Sequence, residues 1–285
     1  MTTTNSIPVT PVVRKAADYR TDLKPIWCPG CGDFAVLAAI QQALVALQVD
    51  PKDLAIVSGI GCSSRLPGFL HAYGLHTVHG RALPAATGLK LARPDLTVLA
   101  VGGDGDFFSI GVGHLPHAVR RDINITCIVM DNEIYGLTKG QTSPTSPQGH
   151  VTKSTPGGNP AAPLHPLALA LSSGATFVAR GFSSQPKQLA ELIKMGMQHE
   201  GFSFIQAMSP CVTFYDTYKL YKEKVYPIPA DHDVRDPDAA MRYALESERL
   251  PLGVLYHEPR PRAAAQPAPE PKPFDTAAYL ARFKA

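Results

Sequence analysis

The sequence predicts an α/β protein built on a doubly wound parallel sheet, and three observations carry that expectation. Short apolar runs closed by Gly, Asp or Pro alternate with stretches whose apolar residues recur at helical spacing. One strand–helix–strand unit, from Thr97 to Met130, has the roughly 35-residue length of a single parallel crossover. The chain of 285 residues is 45% hydrophobic and 18% charged, enough to bury one large core or two small ones without disulfides.

In chain order, residues 1–24 are polar and interrupted by Pro8 and Pro11, and are expected to wrap a surface as an extended arm. Phe34, Leu37, Ile40, Leu44 and Leu47 set a helix over Asp33–Leu47. Leu54–Ile60 is a buried strand ended by glycine, and Arg81–Ala92 a helix that tolerates Pro84 in its first turn. Thr97–Gly102 is a strand, Phe107–Arg121 a helix and Asn124–Met130 a strand. Residues 138–163, rich in Gly, Pro, Ser and Thr, form a long loop, a length that usually means function or disorder. Helices follow at Pro166–Ser172 and Pro186–His199, with strands at Thr176–Ala179 and Ser203–Met208. From Asp216 the pattern weakens. A Pro/Ala linker at 260–273 and an amphipathic helix at Phe274–Phe283 close the chain. The implied organisation is an arm (1–24), a cofactor domain (25–215) and a C-terminal extension (216–285).

Twenty-seven Lys and Arg against 24 Asp and Glu leave a net charge of +3, too mild for a nucleic-acid or anionic-membrane partner. No apolar run spans a bilayer and the N-terminus has no secretory h-region, so a cytoplasmic location is expected. The five cysteines are then thiols, metal ligands or redox groups.

In an open parallel sheet, ligands bind beyond the carboxyl ends of the strands. Four predicted strands end in Gly61-Cys62-Ser63, Gly103-Asp104-Gly105-Asp106, Asp131-Asn132-Glu133 and Ser209-Pro210-Cys211. A bare Gly-Asp-Gly is an ordinary turn. Asn132, 28 residues beyond Asp104 and also at a strand end, makes the pair a hard-oxygen set for a divalent cation. Gly103 and Gly105 let the backbone approach a diphosphate, and the helix beginning near Phe107 aims free N–H groups at it. Cys28 and Cys31 form a CxxC pair that cannot fill a four-thiolate site alone; Cys62 and Cys211, at strand ends on the same edge, are the natural candidates to complete it. Cys127, mid-strand, is a core thiol. Spacing alone allows zinc or an iron–sulfur cluster.

The run VGGDGDFFSIGVGHLPHAVRRDINITCIVMDNEIYGLTKGQTSPTS, with WCPGCG (Trp27–Gly32), GIGCSSRLP (Gly59–Pro67) and HTVHGRALPAATG (His76–Gly88), resembles thiamine-diphosphate-dependent enzymes. Within them it resembles the beta subunit of 2-oxoacid:ferredoxin oxidoreductases, over roughly residues 20 to 215. The resemblance implies a thiamine-diphosphate-binding fold, Mg²⁺ held by Asp104, Asn132 and the backbone of Ile134, and a 4Fe–4S cluster on Cys28, Cys31, Cys62 and Cys211. The cofactor would lie against Gly61, Ser63, His79, Gly103, Asp104, Gly105, Asp106, Asn132 and the run Tyr135, Gly136, Leu137, Thr138. It implies oxidative decarboxylation of a 2-oxoacid to an acyl-CoA, or the reverse, with electrons passed to ferredoxin. The carboxylate that activates the cofactor would sit on a pyrimidine-binding domain of a separate alpha subunit, in a dimer of alpha-beta heterodimers.

A 2-oxoacid is an anion and needs donors, so Arg65, His79 and Lys139 are the candidate substrate-handling residues. GLTKGQ followed by SPT resembles the 2-oxoglutarate branch, where Lys139 would serve the distal carboxylate. The competing readings are a pyruvate or broad 2-oxoacid member, a non-redox thiamine-dependent decarboxylase or synthase, and a zinc- or iron–sulfur-binding interaction module.

Overall fold

The computed structural model describes residues 13–259 and 275–281. Its strands are β1 (Leu54–Ser58), β2 (Tyr73–His76), β3 (Thr97–Gly103), β4 (Ile125–Asp131), β5 (Ile134–Tyr135), β6 (Gln141–Thr142), β7 (Phe177–Phe182), β8 (Phe202–Met208), β9 (Val225–Pro227) and β10 (Leu250–His257). Eight of them form one sheet in the order β2-β1-β3-β4-β8-β7-β10-β9, and β5 pairs with β6 in a small antiparallel ribbon. The six strands from β2 to β7 run parallel, while β10 is antiparallel to β7.

The helices are α1 (Asp33–Leu47), α2 (Ala82–Ala92), α3 (Asp104–Phe108), α4 (His114–Arg120), α5 (Pro166–Ser172), α6 (Pro186–Gln198), α7 (Tyr218–Lys224), α8 (Pro237–Leu245) and α9 (Thr276–Ala281). Successive strand residues face opposite sides, and the core divides accordingly. Leu54, Ile56, Leu99, Val101, Ile128 and Ile205 pack under α1 and α6. Ala55, Val57, Val98, Ala100, Cys127, Val129 and Phe204 pack under α2, α4, α5 and α8. Apolar residues on both faces are what a sheet covered by helices on both sides requires, and the doubly wound α/β class is as expected.

The predicted helix Phe107–Arg121 is a correction. It is two helices, α3 and α4, broken between Ser109 and Gly113. The break comes from a contact remote in sequence: a Cβ on Gly111 would stand 3.0 Å from the Gly80 Cα, and one on Gly80 2.6 Å from the Gly111 nitrogen. The backbones of the two loops touch there, and the helix cannot run through.

The weak periodicity past Asp216 hides α7, β9, α8 and β10. Of the arm, Ala16–Tyr19 is a 3-10 turn whose fully buried Tyr19 donates its hydroxyl to the Val49 carbonyl at 2.6 Å. The linker predicted at 260–273 lies outside the described residues, as do both ends of the predicted last helix, of which Thr276–Ala281 is helical. Among the described residues no helix is long and apolar enough to cross a membrane.

Candidate active site

The chain leaves β1 toward β2 on one side and leaves β3 toward β4 on the other. The carboxyl ends of β1 and β3 therefore bound a topological switch point, where such sheets bind ligands. A cavity of about 530 Å³ opens there, a volume suited to a cofactor. Its wall takes Ile60, Gly61, Cys62 and Ser63 from beyond β1 and Gly103, Asp104, Gly105 and Asp106 from the end of β3. His79, Asn132, Gln141 and the segment Ile134–Thr138 complete it.

The glycines are sized by their neighbours. A Cβ on Gly105 would lie 2.2 Å from the Tyr135 ring, whose hydroxyl donates to the Gly105 carbonyl at 3.2 Å. One on Gly103 would stand 3.0 Å from Ser63 Oγ. The helix α3 begins at Asp104, three residues before the predicted start, so its free amides belong to the Gly-Asp-Gly turn itself. Gly105→Ala is expected to lower thermal stability by about 1–3 kcal/mol through overpacking against Tyr135. Gly88→Ala in α2, where a Cβ meets nothing within 4 Å, is expected to raise it by about 0.5–1 kcal/mol. Thermal unfolding of the two variants side by side checks both signs.

Asn132 and Ile134 are presented by a tight turn: Asn132 Oδ1 accepts the Ile134 N–H at 3.1 Å, and Glu133 between them is left-handed at φ 59°. Asp104 is buried, and its Oδ1 accepts a long hydrogen bond from the Asn132 backbone N–H at 3.5 Å. Burial, then the charge of Asp131, pushes the Asp104 carboxyl up to about 7; burial also raises Asp131. A carboxylate, an amide oxygen and a backbone carbonyl at the mouth of a buried acidic pair suit a hard divalent cation, which would offset their charge.

Asp106 has an organising part that the sequence did not suggest. Its Oδ1 accepts from Ile60 N at 3.0 Å, Gly80 N at 2.6 Å and His79 Nδ1 at 2.8 Å. A Cβ on Gly59 would fall 1.9 Å from its Oδ2, so the strand end must be glycine there. With Nδ1 turned to the carboxylate, Nε2 is the ring nitrogen left to the cavity.

The four strand-end and loop cysteines gather beside this wall. Cys62 lines the cavity, and the sulfurs of Cys62 and Cys211 both lie 3.6 Å from the Cβ position of Gly136. The CxxC loop is turned by Cys31 N donating to Cys28 O at 3.0 Å and pinned to the end of β8 by Gly32 N to Pro210 O at 3.2 Å. Ser209 Oγ donates to Asp33 Oδ1 at 2.6 Å, and Trp27 Nε1 to the Cys62 carbonyl at 2.7 Å. Burial, the Asp33 charge and the neighbouring thiols push Cys31 up strongly and Cys62 up to about 11. Cys127 is fully buried in β4 between Ala100 and Phe204. Among the described residues no group of three or more His, Cys, Asp or Glu side chains is set to grip a metal ion. The four thiols are gathered, but not closed into a single-ion tetrahedron.

Two substrate candidates fall outside the wall. Arg65 is exposed on the 3-10 segment Ser63–Phe69. Lys139 is exposed at φ 76° on the turn between β5 and β6, next to Thr138, which does line the cavity. Sequence reasoning missed Gln141, whose only signal was its place at the end of GLTKGQ, and Thr145, which reads as ordinary loop. Thr145 is buried and touches Asp104.

The chain is similar to known proteins over most of its length. The family described as thiamine pyrophosphate enzyme, C-terminal TPP binding domain, matches residues 59–207. A second family, the C-terminal part of the pyruvate ferredoxin oxidoreductase beta subunit, matches residues 211–268. The chain is 45% identical to 2-oxoacid:ferredoxin oxidoreductase 1, subunit beta, of Aeropyrum pernix over 86% of this chain and 82% of the relative. It is 47% identical to 2-oxoglutarate oxidoreductase subunit KorB of Mycobacterium tuberculosis over 76% of this chain and 58% of the relative. A solved 2-oxoglutarate:ferredoxin oxidoreductase from Magnetococcus marinus, with 2-oxoglutarate, coenzyme A and succinyl-CoA bound, superposes with a TM-score of 0.85 at 49% identity, covering 87% of this chain and 86% of that one. A switch-point cavity walled by a Gly-Asp-Gly turn, a matching thiamine-diphosphate-binding domain and relatives that span most of its length make this chain a member of the beta subunits of the 2-oxoacid:ferredoxin oxidoreductases.

Proposed function

We propose that this subunit oxidises 2-oxoglutarate, with coenzyme A as acyl acceptor and ferredoxin as electron acceptor, and that it holds thiamine diphosphate through Mg²⁺ beside a 4Fe–4S cluster. The observation that carries the reading is that Asp104 and Cys62 share one cavity wall. An oxygen set for a cation and a thiol of a four-cysteine cluster open on the same space.

Bound thiamine diphosphate supplies the carbanion chemistry of 2-oxoacid decarboxylation. Asp104 Oδ1, Asn132 Oδ1 and the Ile134 carbonyl would hold the cation, and Gly103 and Gly105 would let the backbone meet the diphosphate. His79, fixed through Nδ1 by Asp106, presents Nε2 as the group that holds or gives a proton at the substrate oxygen. Cys28, Cys31, Cys62 and Cys211 would ligate the cluster, which would supply one-electron redox chemistry beside the cavity. Thiols whose pKa is raised by burial, by Asp33 and by one another bind as thiolates where a metal centre offsets their charge. The activating carboxylate would come from a pyrimidine-binding domain on the alpha subunit, in a dimer of alpha-beta heterodimers.

Support for 2-oxoglutarate comes from the names of the Mycobacterium tuberculosis relative and the solved structure. The pyruvate name of the second matching family favours the other reading, a pyruvate or broad-specificity enzyme. The assembled enzyme, assayed with 2-oxoglutarate and pyruvate in the presence of coenzyme A and oxidised ferredoxin, separates them. Lys139→Ala is expected to raise KM for 2-oxoglutarate by roughly tenfold to a hundredfold, the loss of one charge-assisted hydrogen bond, and to leave pyruvate unchanged. Arg65→Ala is expected to weaken both substrates. Equal losses on both substrates in the Lys139 variant would assign it to holding the turn rather than the distal carboxylate.

A further inference from the structure

Thr145 stands between two buried carboxylates. Its Oγ1 lies 2.9 Å from Asp104 Oδ2 and 2.9 Å from Asp131 Oδ1. A hydroxyl has one proton and can donate to one carboxylate at a time. Both acids are about 1% exposed, so solvent does not stabilise either charge. Asp131 is held in turn: Gln206 Nε2 donates to its Oδ2 at 2.7 Å, and Arg180 Nε donates to Gln206 Oε1 at 2.9 Å. Asp104, Asp131, Gln206 and Arg180 come from the end of β3, β4, β8 and β7, and Thr145 from the loop after β6, so one hydrogen-bonded chain crosses the carboxyl edge of four neighbouring strands.

The loop that delivers Thr145 is built for the purpose. Ser146 N donates to Ser143 O at 3.1 Å and Ser143 N to Ser146 Oγ at 2.8 Å, closing a tight turn. Ser146 Oγ donates to the Glu133 carbonyl, and Asn159 Nδ2 donates to the Ser146 carbonyl at 3.1 Å. The turn is thereby fastened to the same segment that carries Asn132.

We propose that Thr145, backed by the Asp131–Gln206–Arg180 chain, is a positioning residue for the cation ligand Asp104. It holds Oδ2 of Asp104 so that Oδ1, whose hydrogen bond from the Asn132 backbone N–H is long at 3.5 Å, is the oxygen left to take the cation. Buried polar groups behind a ligand set its orientation and charge in this way. Arg180, buried and with Nη1 unpartnered, supplies positive charge at the far end of the chain. This inference rests on the cation and thiamine diphosphate reading above.

The test titrates the assembled apo-enzyme with Mg²⁺ at fixed thiamine diphosphate and measures bound thiamine diphosphate by equilibrium dialysis. Thr145→Val keeps the shape and removes the proton. It is expected to raise the Mg²⁺ midpoint about tenfold or more, the scale of one lost charge-assisted hydrogen bond, with full occupancy at saturation. Thr145→Ser is expected to restore the wild-type midpoint. If the valine variant does not fold, Thr145→Ala carries the same expectation. An unchanged midpoint, or lost capacity at an unchanged midpoint, overturns the positioning role. Wild-type enzyme that takes up no thiamine diphosphate with Mg²⁺ would instead overturn the cofactor reading.

Discussion

Replacing Asp104 with alanine is expected to empty the subunit of thiamine diphosphate and leave its iron in place. Asp104 is the one anionic side chain in the proposed oxygen set. Without it the cation would meet the amide oxygen of Asn132, already accepting from the Ile134 N–H, and a carbonyl, both neutral. Removing a buried charge-assisted contact costs about 1.5–3 kcal/mol for one hydrogen bond, and a divalent cation loses more. Binding weaker by a hundredfold or more is therefore the expected result, read as thiamine content of the purified complex. The apo form is expected to melt no lower than wild type, because Asp131 loses the acidic neighbour that shares Thr145 with it. Wild-type thiamine content in the variant would remove Asp104 from the site.

The second large effect separates the cysteines. Serine at Cys28, Cys31, Cys62 or Cys211 is expected to abolish bound iron, visible absorbance and ferredoxin reduction, since each would be one of four cluster ligands. Cys127→Ser is expected to keep its iron and lose about 1–3 kcal/mol of stability, because a hydroxyl would replace a thiol in a closed core. Iron determination on the five variants decides the count. Iron loss in the Cys127 variant equal to that in the others would break the division into four ligands and one core thiol.

Much of the site was legible because its residues follow strands that are buried on both faces. Such strands read as continuous apolar runs, and β1, β3, β4 and β8 each stop at a Gly or polar residue that locates its end. The α3–α4 break was not legible, since the contact of Gly80 with Gly111 that causes it joins loops 31 residues apart. Nor was β2, an edge strand whose four residues are all exposed and so carry no burial pattern. The last strand, β10, contains Pro251 and Gly253, residues that argue against a strand locally; Pro251 is tolerated because it pairs with β9 alone, before the pairing with β7 begins at Gly253. Thr145 lay in a stretch whose composition reads as loop, which it is; its burial depends on a turn fastened to Glu133. Arg65 and Lys139 were chosen by charge and nearness in sequence to the strand ends, and neither property fixes where a long side chain stands relative to a cavity.

The separation of the cysteines along the chain has a consequence for biogenesis. Cys211 is brought beside Cys62 only when β8 has joined the sheet next to β4, yet the ribosome delivers it 149 residues after Cys62. At about 5–20 residues per second, Cys62 waits roughly 7–30 s for Cys211, and Cys28 and Cys31 wait longer. An iron centre built on all four would be a late, post-translational addition to a nearly finished sheet. Until then Cys28, Cys31 and Cys62 would be open to oxidation on a nascent chain, and the yield of active subunit would then track the redox state and iron supply of the cell during synthesis as well as the stability of the finished protein.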